Sequence, residues 1–114
     1  MKLEEGMYVR TNDGYINKIK KLNQYNVLVD ARDLFGEELN IPNNEIIKAS
    51  YNIIDILEVG DYVNGNPVCI IKEDEHNRKW IYTDSNYKYG YLEEDIKSIL
   101  THEQIEQMAY KVEE

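Results

Sequence analysis

The chain has 114 residues, 42% of them apolar, which suffices for one domain or two very small ones but not for a large core. Lysine and arginine number 13 against 22 acids, and the excess is uneven: residues 1–50 hold 7 basic and 8 acidic groups, residues 51–114 hold 6 and 14. Binding by phosphate neutralisation needs the opposite sign, so general DNA or RNA binding is disfavoured; the lack of any run of even ten apolar residues excludes a membrane-spanning helix.

From the N-terminus, MKLEEGMYV is acidic within five residues and has no apolar leader segment, so a cytoplasmic protein is expected. The stretch EEGMYVRT (4–11) then opens an extended run, and Asn12-Asp13-Gly14 marks a turn into a second run, YINKIKKL. NQYNVLVD (23–30) is rich in β-formers and predicts a third strand, a loop DLFGEELNIPNN follows, and EIIKA (45–49) closes the series.

The phrase EVGDYVNG (58–65) restates the opening. Sliding the chain by 54 aligns residues 3–36 with 57–90 without a gap and gives eleven identities in 34 positions, among them Glu4/Glu58, Gly6/Gly60, Tyr8/Tyr62, Val9/Val63, Ile16/Ile70 and Lys18/Lys72. Roughly two would arise from ordinary residue frequencies, so an internal repeat is expected. In the second copy Asn64-Gly65 predicts a turn, Pro67 suits that turn better than a central strand, NRKWIYTD (77–84) is a strand, and EDIKS (94–98) is the closing strand. Val9 and Val63 are expected to face the interior, and Tyr89, aligned with Phe35, to fill the core.

Five short strands in about 45 residues with a long penultimate loop is the pattern of a small SH3-like barrel, too small to be robust alone. The fold class expected is mostly β: two tandem SH3-like small barrels from an internal repeat, plus a short C-terminal helix. The divisions are 1–50, a linker 51–57, 58–100, and 101–114. In the last segment Thr101 with Gln104 three residues on is a capping box, and Ile105 and Met108 give an apolar stripe, so residues 102–109 are read as a helix.

Chemistry-bearing residues are few in pattern. His76 and His102 have no Cys or second His at ligand spacing, so no metal and no cofactor is expected. The single cysteine, Cys69, sits in an apolar run and reads as a buried inert thiol. Phosphate-loop and nucleophile-elbow patterns are missing, and a non-enzyme is expected. Tyrosine is in excess, with ten against one Phe and one Trp. In YKYGYLEED, Tyr87 and Tyr91 border Glu93, Glu94 and Asp95; with the acidic run Glu73, Asp74 and Glu75 these form the expected binding surface for a protein partner with a basic face. The alternative is a small nucleic-acid patch at Lys18, Lys20 and Lys21, and a third reading is a structural or assembly component. Nothing in the pattern selects monomer or dimer.

The opening Gly6-x-x-Val9-x-x-x-x-Gly14 resembles the turn of KOW-type SH3-like modules. NIIDILEVGDYVNG, EEDIKSILTHEQIEQMAYKV and EEGMYVRTNDGYI resemble small phage and prophage proteins of Firmicutes, over most of the chain. That resemblance implies the cytoplasm of a bacterial host and an accessory role, binding a host component such as a nucleic-acid-binding defence protein and inhibiting it. It implies no catalytic residue.

Overall fold

The computed structural model describes residues 2–29, 38–84, 88–110 and 112. It is mostly β and divides into two compact units, residues 1–56 and 57–114. Among the described residues, no helix is long and apolar enough to cross a membrane.

In the first unit, strands β1 (Tyr8–Thr11), β2 (Ile16–Leu22), β3 (Asn26–Val29), β4 (Leu39–Pro42) and β5 (Ile46–Ser50) form one antiparallel sheet in the order β4-β3-β2-β1-β5. Alternation sorts the side chains: in β3, Val27 and Val29 are buried while Leu28 is half-exposed. Val9, Ile19, Val27, Val29, Ile41 and Ile46 make the core, with Leu3, Met7 and Ala49 packed on its edge. A 3-10 turn, Ile53–Ile56, buries Ile54 and Ile56 against β1 and β5. Arg10 is also fully buried and donates from Nη1 to the Ile56 carbonyl at 3.1 Å.

In the second unit, β6 (Tyr62–Val63), β7 (Asn66–Glu73), β8 (Lys79–Thr83) and β9 (Ile99–Leu100) form a sheet in the order β8-β7-β6-β9. Ile81 and Tyr91 add a single bridge at the free edge of β8, through Ile81 N to Tyr91 O at 2.9 Å and Tyr91 N to Ile81 O at 2.7 Å. Leu57, Val63, Val68 and Ile81 are buried, as Val9 is in the first unit, so the inward placement expected of the two valines holds. Helix α1 (His102–Met108) starts where the capping box placed it: Thr101 N donates to Gln104 Oε1 at 3.0 Å and Thr101 Oγ1 accepts from Gln104 N.

The sheets are open rather than closed barrels: among the described residues the end strands β4 and β5 are not paired with each other, nor are β8 and β9. The gapless register of 54 also fails inside the units. Tyr8 faces Lys18 across the first hairpin, whereas Tyr62 faces Pro67, because Asn64 and Gly65, at φ of 53° and 83°, close the second hairpin in two residues. By pairing, Ile19 and Val68 hold like positions in their own units: each is buried, each sits at the register shift of its strand, and each carbonyl accepts from the glycine before it, Gly6 N at 2.9 Å and Gly60 N at 3.0 Å. Ile16/Ile70 and Lys18/Lys72 are matches of letters and not of place. Pro67 lies within β7 after all; it occupies a pair in which a hairpin makes no hydrogen bonds, so its missing N–H leaves no gap in the ladder.

Candidate functional site

The turn Glu58–Asp61 precedes β6 and is closed by Asp61 N donating to Glu58 O at 3.1 Å. Asp61 is fully buried, and its carboxylate has two jobs: Oδ2 accepts from Glu58 N at 2.7 Å and Oδ1 accepts from His102 N at 2.9 Å. A single side chain thus ties the turn to the first residue of α1. Gly60, at φ +97°, lets the backbone pass close to the helix; a Cβ there would lie 3.7 Å from His102 Cβ. The consequence is a cluster of three half-buried groups: His102 Nε2 lies 2.8 Å from Glu58 Oε1 and 2.7 Å from Glu103 Oε1. Forty-four positions separate Glu58 from His102, so ligand spacing along the chain could not reveal this trio. The available signal was Asp61, an acid aligned with Met7 at a position that packs on the core in the first unit.

The residues expected to bind a partner fall into two places. Glu93, Glu94 and Asp95 form a 3-10 turn. Asp95 Oδ2 accepts from Leu92 N at 3.0 Å, and Asn64 clamps the turn from the hairpin: Nδ2 donates to Asp95 O at 2.9 Å, while Oδ1 accepts from Lys97 N at 2.7 Å and Ser98 N at 3.1 Å. Glu94 and Asp95 are exposed and Glu93 is half-buried. Glu73, Asp74 and Glu75 sit at the other end of β7, separated from Asn64 by a strand of 8 residues, or roughly 25 Å at about 3.3 Å per residue. The two acidic runs are therefore not one surface.

Asp74 belongs to the scaffold. Its carboxylate accepts from Trp80 Nε1 at 2.9 Å, Arg78 Nε at 3.0 Å, and the backbone N–H groups of His76 and Arg78, locking the hairpin tip. Those donors, led by the Trp80 indole, hold its pKa well below the usual carboxylate range. Glu73 and Glu75 beside it are exposed.

Of the tyrosines, Tyr87 lies outside the described residues. Tyr91 is half-buried and fixed by its bridge to Ile81. Tyr89 is 71% exposed with the Lys88 ammonium 5.4 Å from its ring centre, so it does not fill the core. Gly90 is the cause: at φ +73° it lies over Tyr82 and Trp80, where even a Cβ would come within 3.0 Å of Tyr82 Cε1, and this close backbone approach swings Tyr89 outward.

In the first unit Lys18 stands 5.4 Å from the Tyr8 ring centre and Lys20 is paired with Glu38, whose pKa the lysine lowers. Lys21 lines a shallow groove of about 170 Å³ with Leu22, Asn23, Asn26, Leu28 and Asn40. Two of the three lysines thus have intramolecular partners. Cys69 is half-buried rather than buried; its thiol donates to Asp84 Oδ1 at 2.7 Å, which pushes its pKa up and keeps it a poor nucleophile.

No family model, no curated protein and no solved structure matches the chain.

Proposed function

We propose that the two units are two copies of one small SH3-like design, and that the protein is a non-catalytic accessory module whose second unit docks on the basic face of a protein partner through the turn Tyr91–Asp95. The paired registers, with their shared glycine turns and shared strand irregularities, support the first part. The clamped acidic turn carries the second. Three consecutive carboxylates repel one another, yet all of Asn64's side-chain hydrogen-bonding groups go to holding this loop in one shape. A pre-shaped anionic surface loses little freedom on meeting a cationic one and fixes its orientation. The basic surface of a nucleic-acid-binding protein, as expected from the resemblance to phage proteins, is the partner class that suits it.

The test is polarisation of a labelled lysine-rich peptide with wild type, E93Q/E94Q and the equally charged E73Q/E75Q. A loss of affinity of roughly tenfold confined to E93Q/E94Q, about 1.4 kcal/mol, is expected. Equal losses in both variants would reduce the turn to its net charge and remove the reading.

A further inference from the structure

We propose that Glu58, His102 and Glu103 bind one divalent transition cation, with Zn2+ the ion that fits the donors best. The trio joins one imidazole nitrogen and two carboxylate oxygens, all within 4.8 Å of one another and drawn from two segments of the chain. A ring nitrogen carries at most one N–H, pointing in one direction. Here two carboxylate oxygens approach the same Nε2 at 2.8 and 2.7 Å, so one proton serves two acceptors and two like charges are drawn together around it.

A dication in the proton's place resolves both problems. It bonds to all three donors at about 2.0–2.2 Å, and its charge balances two carboxylates and a neutral imidazole. Tetrahedral geometry at those bond lengths sets the donors about 3.3 Å apart, so each glutamate needs to swing outward by roughly half an ångström, within reach of a side-chain torsion. Water fills the remaining position from the open side, since the His102 side chain is 41% exposed.

The backbone is already in place for this. Buried Asp61 holds the amides of Glu58 and His102 through its two oxygens, so ligand spacing is fixed before any ion arrives and binding costs little ordering. The first unit supplies the contrast. Glu4 occupies the corresponding turn there, but it receives one phenol O–H from Tyr51 at 2.7 Å, and among the described residues no metal-ligating cluster includes it.

The experiment is isothermal titration of the full chain, stripped with EDTA, with ZnCl2, and a parallel titration with Co2+ read by visible absorption. One ion per chain is expected, with affinity falling at least tenfold in H102A, E58Q and E103Q but not in E106Q, which alters an exposed acid on the same helix. The Co2+ bands should vanish in H102A. H102A keeps the backbone N–H that Asp61 binds; circular dichroism checks its fold, and the two glutamine variants stand in if it is lost. No saturable Zn2+ binding, binding indifferent to these substitutions, or Mg2+ binding as tight as Zn2+ would each overturn the site.

Discussion

Glu4 and Glu58 begin the same turn in the two units and end in different chemistry. In the first, Met7 closes the turn and packs on the apolar core, and Glu4 takes a hydrogen bond from Tyr51 that raises the phenol's pKa. In the second, the residue in Met7's place is Asp61, a buried carboxylate that reaches across to α1 and draws His102 and Glu103 to Glu58. An acidic residue here in place of an apolar one, beside a strand that pairs with β9 and so lies next to the start of α1, ties the turn to His102 and brings Glu58, His102 and Glu103 together. The lesson is that two turns closed by the same backbone hydrogen bond carry different chemistry, set by which side chain occupies the last position.

Substitutions at three positions break or sharpen that contrast. The largest effect is expected of Asp61→Met, which installs the first unit's residue: two part-buried amides lose their acceptor at about 1–3 kcal/mol each. Denaturant unfolding should show a loss of about 2–6 kcal/mol, and hydrogen exchange should speed selectively at the amides of Glu58 and His102. Asp61→Asn, which keeps one oxygen acceptor, should lose about half as much.

A smaller loss follows from Gly90→Ala. A left-handed φ of +73° costs an L-residue about 1–2 kcal/mol, and the added Cβ meets Tyr82 and Trp80 besides. The emission of Trp80, the one tryptophan of the chain, should shift as the ring is displaced. If melting and emission are both unchanged, the close approach of residue 90 to the two rings is not what turns Tyr89 outward.

The smallest effect is a pH dependence at the hairpin tip. Asp74 is held below the usual carboxylate range by its Trp80, Arg78 and His76 partners. A carboxylate depressed on folding contributes stability that is present above its unfolded pKa of about 3.9 and is lost as pH falls through the folded value. Trp80 emission should therefore hold constant on acidification to about pH 4 and change only below it, and Asp74→Ala should show the opened signal already at neutral pH. The corresponding tip of the first unit is built on Asn23, which accepts from the amides of Tyr25 and Asn26 and has no charge to titrate.

Much of the architecture was legible. Val, Ile and Trp runs between Asn-Gly signals specify strands because extended backbone and alternation put those side chains on one buried face; Thr101 and Gln104 specify the start of α1 because they satisfy its first amides. The misreadings have separate causes. A gapless alignment cannot see that a two-residue turn at Asn64-Gly65 shortens one hairpin while the β7–β8 hairpin grows, so it matches Ile70 with Ile16; the rule that keeps proline out of central strands misleads at Pro67 because its pair makes no hydrogen bonds. Tyr89 followed the same alignment into the core, and the glycine beside it turned it out.

What the sequence determined by itself was local: strand and helix formers, caps, turns, and the charge of each half, all of which act over a few neighbouring residues. What only the tertiary structure decided was which distant groups meet. The separation of the two acidic runs to opposite ends of β7, and above all the approach of Glu58 to His102 and Glu103, depend on the folding back of segments tens of residues apart, and the buried carboxylate of Asp61 is the contact that fixes the last of these.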